Sequence, residues 1–103
     1  MAAAKAPVAI VTGAAKGIGR AIALRLLDDG WRVGAVDLPD GGLGRVFQKR
    51  AHRVVLIEGD VAKEATARQA VKAVNDKFGR LDALISNAGM MVRKALRDLT
   101  FEE

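Results

Sequence analysis

The chain has 103 residues, half of them hydrophobic and 28% charged, enough for one domain with a modest core. It has no cysteine, which excludes disulfides, thiol nucleophiles and thiolate metal sites and fits a reducing, cytoplasmic setting. A net charge of +5 raises nucleic acid as a partner, but Arg20, Arg25, Lys63, Arg68 and Lys72 are scattered among acids, and the few aromatic residues make no stacking platform.

In chain order, Met1–Pro7 carries no apolar core of signal-peptide length. No later apolar run reaches the roughly 18–20 residues that span a bilayer. Neither membrane nor nucleic acid is therefore expected as a partner. Val8-Ala9-Ile10-Val11 reads as a buried strand, followed by a glycine turn, Thr12–Gly19. From Ile18 the apolar positions Ile18, Ala21, Ile22 and Leu26 recur at helical spacing, and Gly30 supplies the stop. Arg32–Asp37 predicts a second strand entered through Trp31, Leu38–Gly44 a Pro/Gly loop, and Arg45–Ala51 a short helix. Val54–Ile57 is the plainest strand of the chain. Lys63–Phe78 predicts an amphipathic helix with Ala67, Ala70, Val71, Val74 and Phe78 on one stripe, ended by Gly79. Leu81–Ser86 predicts a fourth strand, closed by Asn87-Ala88-Gly89.

Strands that alternate with helices, without in/out polarity alternation, belong in a parallel sheet covered on both faces. The predicted fold is α/β: a Rossmann-type doubly wound parallel sheet in the order 3-2-1-4, one domain over residues 1–103, with the glycine turn at the switch point. Thr100-Phe101-Glu102-Glu103 has the spacing of a capping box with no helix behind it, which suggests a chain truncated after about four strands.

The chemistry concentrates in the turn. A strand, a glycine turn and a helix in that order can receive a pyrophosphate, because turn N–H groups and the positive helix end face one anion. The spacing here is G-x-x-x-G-x-G rather than G-x-G-x-x-G. Asp37, at the end of the second strand, is placed to accept from adenosine ribose hydroxyls and to repel a 2′-phosphate, which favours NAD over NADP. Lys16 argues the other way, since a cation beside the turn could pair with that phosphate. Asp60 either accepts from an adenine amino group, with the Val61 N–H donating to a ring nitrogen, or caps the helix that starts near Lys63. His52 lies between basic residues with no second ligand nearby and reads as a solvated surface group; Met90-Met91 reads as loop or core packing.

The octet Thr12–Gly19, Asp37, Asp60-Val61 and Ser86-Asn87-Ala88-Gly89, in this order, resemble the short-chain dehydrogenase/reductase family, from Val8 to Glu103. The resemblance implies a nicotinamide cofactor, hydride transfer between it and an alcohol or carbonyl, and a homo-oligomer. It implies that Gly13, Gly17, Ile18 and Gly19 line the pyrophosphate, Asp37 holds the adenosine ribose, and Asp60 and Val61 hold the adenine. Asn87, Ala88 and Gly89 would support the cofactor and the central strand. Ser86 departs from the family, which more often has a second Asn there. The family's catalytic Ser, Tyr-x-x-x-Lys pair and Asn lie beyond the matching segments: this chain has no tyrosine, and its only serine is Ser86. The expectation is therefore the cofactor-binding part of an oxidoreductase with no catalytic residue of its own. The alternative is a stand-alone dinucleotide-binding module.

Overall fold

The computed structural model describes residues 6–87. Four β-strands form one parallel sheet: β1 (Val8–Thr12), β2 (Arg32–Asp37), β3 (Val54–Glu58) and β4 (Ala83–Ile85), in the spatial order β3-β2-β1-β4. The crossovers are α1 (Gly17–Asp28), the single-turn α2 (Leu43–Val46) with a following 3₁₀ segment (Gln48–Arg53), and α3 (Glu64–Phe78). The predicted order is observed, and β1 lies centrally because β2 and β3 are added on one side of it and β4 on the other, with all strands parallel.

Strand residues alternate between two cores, one on each face of the sheet. Val11, Val33, Ala35 and Val54 pack with Ala23 and Leu27 of α1 and with Leu43 and Phe47. Val8, Ile10, Val36 and Ile57 pack with Ala70 and Val74 of α3. Cover on both faces of β1 and β2 explains why these two strands carry no alternating polar pattern.

The helix faces differ from the predicted stripes. In α1 the buried positions are Gly19, Ala23 and Leu27; Ile22 and Leu26 are half-buried, Ala21 is exposed, and Ile18 is 71% exposed. In α3 they are Thr66, Ala70 and Val74, while Ala67 and Val71 face outward. The reason for the second shift is local. A Cβ on Gly59 would lie 2.6 Å from Thr66 Oγ1, so the glycine lets the first turn of α3 settle on the end of β3 through Thr66. The Arg45–Ala51 helix is also corrected. Gly42, at φ +86°, starts a turn earlier, so Leu43 and Phe47 become core, and the non-helical Arg50 splits the segment. Trp31 is half-buried in the turn between α1 and β2, its N–H donating to the Leu26 carbonyl at 2.9 Å. The Thr100–Glu103 capping box and Met90-Met91 lie outside the described residues.

Surface charge is locally paired. Arg25–Asp29, Arg68–Glu64 and Lys72–Asp76 are i,i+4 ion pairs on helices, consistent with solvated faces of mixed sign. Among the described residues no helix is long and apolar enough to cross a membrane.

One carboxylate ties β4 to the start of β1. Asp82 Oδ2 accepts from the Val8 N–H at 2.8 Å, and Asp82 Oδ1 accepts from Arg80 Nη2 at 2.6 Å. The Arg80 hydrogen bond first, then the Val8 N–H, hold the Asp82 carboxyl below its ordinary pKa. A carboxyl depressed in the folded state contributes stability that is present above the unfolded carboxylate value and is lost as pH falls through the folded one. Asp82→Asn is therefore expected to lower the neutral-pH Tm and to flatten the Tm decline below about pH 4. Thermal melts across that range check this; a variant whose melting curve tracks the parent at every pH would contradict it.

Candidate cofactor site

The site is built at the carboxyl ends of the strands. Gly13 and Gly17 have φ of +65° and +62°, a left-handed conformation that costs other residues energy, and they fold the chain back from β1 into α1. The turn is anchored to β2: the Ala14 N–H donates to the Val36 carbonyl at 3.1 Å, and the Ala15 N–H to Asp37 Oδ2 at 2.9 Å. Gly19 is fixed by space rather than dihedral. A Cβ there would lie 2.1 Å from the Gly13 carbonyl oxygen and 2.7 Å from Asn87 Nδ2. That close approach packs the first turn of α1 on the end of β1.

The start of α1 is open to an anion. Lys16, at the N-cap, makes no side-chain capping bond, and the first turn holds no acid. The helix N–H groups and the positive end of the helix dipole are thus left for an outside partner. A Cβ on Gly17 would meet nothing within 4 Å, so the backbone faces open space. The exposed Ile18, misplaced in the core stripe by periodicity, stands beside this space as a candidate apolar contact.

Asp37 lies across the turn. Besides the Ala15 bond, its Oδ1 accepts from the Leu38 N–H at 2.8 Å. Two backbone donors hold the carboxylate in place, and its unused lone pairs remain able to accept from hydroxyls. Lys16 is exposed on the solvent side of the same turn.

At the end of β3, Asp60 Oδ1 accepts from the Ala62 N–H at 2.9 Å, and the Asp60 carbonyl accepts from the Lys63 N–H at 3.0 Å. The side chain stabilises the turn that leads into α3 rather than bonding the helix itself, and α3 starts without a side-chain cap. Asp60 and Val61 are exposed beside the strand ends. At β4, the Asn87 N–H donates to Thr12 Oγ1 at 2.8 Å, and Thr12 Oγ1 donates to the Ile85 carbonyl at 3.4 Å. The structure thus brings Gly13, Gly17, Gly19, Asp37 and Asn87 together around one turn, with Asp60 and Val61 on the next loop. Ala88 and Gly89 lie outside the described residues. The Thr12 link between β1 and Asn87 was not singled out from sequence, although Thr at the strand end was its available signal.

The family model for short chain dehydrogenases matches residues 7–103. The chain belongs to this family. It is 40% identical over 101 residues to a short-chain dehydrogenase/reductase of Armillaria gallica, covering 93% of this chain and 39% of that protein. It is likewise 40% identical over 83 residues to a cis-1,2-dihydrobenzene-1,2-diol dehydrogenase of Pseudomonas putida, covering 81% and 30%. Among solved structures, a 3-ketoacyl-(acyl-carrier-protein) reductase from Brucella melitensis complexed with NADH matches with a TM-score of 0.71 at 36% identity, covering 76% of this chain and 32% of that one. The chain thus spans about a third of the length of these relatives. The residues present fit the family's nicotinamide cofactor at the turn: an uncapped helix end, glycines in close backbone approach, and an anchored acceptor at the end of β2.

Proposed function

We propose that these residues bind NAD as the amino-terminal, cofactor-holding part of an oxidoreductase that transfers hydride between the cofactor and an alcohol or carbonyl. The observation that carries this reading is the uncapped α1 N-terminus facing open space at Gly17, with the Asp37 carboxylate fixed across the turn. In it, the N–H groups of the turn and of α1 hold the pyrophosphate, and Ile18 packs on the cofactor. Asp37 accepts from the adenosine ribose, the Asp60-Val61 loop borders the adenine, and Asn87, Ala88 and Gly89 support the cofactor beside β1. Lys16 remains solvated near the pyrophosphate. The cofactor would supply the hydride chemistry, and the chain's own residues bind and orient it.

With no tyrosine and a single serine, the 103 residues are assigned binding rather than proton transfer, which is left to further chain. An exposed apolar strip supports that completion. Leu84, 63% exposed, shares a sheet face with Ile10, its register partner, and the exposed Val71 and Leu81 line one groove together. Such a strip suits burial against further chain or against a second copy in a homo-oligomer. The cysteine-free composition suits a cytoplasmic setting. The alternative, a non-catalytic dinucleotide-binding module, has the same site and differs in what covers β4.

Calorimetric titration with NAD is expected to give saturable binding with one site per chain. A folded chain, verified by circular dichroism, that shows no saturation at millimolar NAD would refute the reading. The intact mass of the natural protein then separates the two versions: a mass near 10.9 kDa supports the module, and a larger one the enzyme.

A further inference from the structure

At the opposite, amino-terminal end of the sheet lies a second concavity, about 390 Å³, lined by Arg32, His52, Arg53, Lys77 and Phe78 with no carboxylate among its lining residues. A strand of five residues spans about 17 Å, so this pocket is well separated from the glycine turn. We propose that it is a binding site for a small polyanion of the phosphate-ester or pyrophosphate class.

The basic groups are held in place by neutral partners. Arg32 Nη2 donates to the Ala6 carbonyl at 2.7 Å, Arg53 Nη1 to the Leu27 carbonyl at 2.8 Å, and Lys77 Nζ to the Val54 carbonyl at 2.8 Å. Carbonyls fix the side chains but do not cancel their charge. Arg32 and Lys77 also stand 5.0 and 5.6 Å from the centroid of the Phe78 ring, so one apolar floor supports both cations. Acids at this end are already engaged: Asp28 pairs with Arg50, Asp29 with Arg25, and Asp82 with Arg80. Arg32 adds to the field on Asp82 only after Arg80 and the Val8 N–H. None of Arg32, Arg53 or Lys77 is in salt-bridge contact with a carboxylate among the described residues. Arg53 and, outside the pocket, Arg50 already serve carbonyls near the end of α1, so Arg32 and Lys77 bring to the pocket positive charge that this helix end does not use and that an anion would offset. Each guanidinium uses only part of its five-donor fork on carbonyls, so planar, bidentate recognition of phosphate oxygens remains available. Confinement to one pocket, rather than a stripe, selects a small ligand over a nucleic acid.

Titrating the intact, isotopically labelled chain with inorganic pyrophosphate tests the site by amide chemical shifts. The expected result is saturable movement at Gly30, Trp31, Arg53 and Phe78, distinct from any movement at Gly13–Gly19, which reports the glycine turn separately. His52→Glu, at an exposed position, places a carboxylate at the rim and is expected to weaken the pocket response by at least about tenfold. Lys77→Gln is expected to weaken it comparably, with its Tm measured alongside. Shifts confined to Gly13–Gly19, or an unchanged response in folded His52→Glu, would overturn the assignment.

Discussion

Replacing Gly19 by alanine is expected to abolish cofactor binding and to destabilise the chain by at least about 3 kcal/mol, the upper range for overpacking a close contact. The added methyl carbon would stand 2.1 Å from the Gly13 carbonyl oxygen, a distance that requires backbone movement. It would also press on Asn87 Nδ2 at 2.7 Å, so α1, the β1 turn and the β4 end are disturbed together. Gly17→Ala is the informative contrast. Its Cβ meets nothing within 4 Å, and the strain comes only from φ +62°, worth roughly 1–2 kcal/mol. Chemical denaturation of both variants, with NAD titrations on whatever remains folded, separates the two causes. If Gly19→Ala melts like the parent, the close packing described at Gly13 and Asn87 is wrong. If Gly17→Ala is the more damaging of the two to stability, dihedral strain rather than space governs the turn.

The contrast between these glycines also shows what was legible in the sequence. The spacing G-x-x-x-G-x-G between a β-branched run and a helix fixes the location of the turn, and short apolar strands between helices specify a parallel sheet of known handedness. It does not say why each glycine is there. Gly13 and Gly17 answer to backbone conformation and Gly19 to a neighbour that only the fold supplies. The helix phases were less readable for a related reason. Around α1 the apolar set Ile18, Ala21, Ile22, Ala23, Leu24, Leu26 and Leu27 covers so wide an arc that periodicity does not choose between a face centred on Ala23 and Leu27 and one led by Ile18. In α3 the burial of Thr66 depends on Gly59, a partner outside the helix. Leu43 was hidden because Leu38–Gly44 reads as a Pro/Gly loop, whereas Gly42 in fact starts a helical turn that buries Leu43 together with Phe47. Asp37 is singled out as a candidate by position, but its bonds to the Ala15 and Leu38 N–H groups could be seen only once β2 and the turn were adjacent.

Those bonds give the second large effect, on the choice between NAD and NADP. A mobile carboxylate could swing away from a 2′-phosphate; Asp37 would have to surrender two backbone hydrogen bonds, at 2.9 and 2.8 Å, to do so. Hydrogen bonds to charged groups are worth about 1.5–3 kcal/mol each, so the carboxylate is expected to stay. Two like charges about 4 Å apart interact by about 4 kcal/mol near a protein surface, and a phosphate carries more than one charge. Partial exposure and salt reduce this. The parent chain is therefore expected to prefer NADH over NADPH by roughly a hundredfold or more, with Lys16, exposed at the turn, too solvated to reverse it. Asp37→Asn removes the charge while keeping one acceptor, and turns an NH₂ group toward one of the two backbone donors. Both affinities should fall as the turn loosens, but their ratio should narrow to about tenfold or less, because the ratio reads the charge and cancels the common loss of order. Fluorescence titrations with the two reduced cofactors measure that ratio directly. A parent chain that already binds NADPH as tightly as NADH would show that Asp37 does not impose the preference.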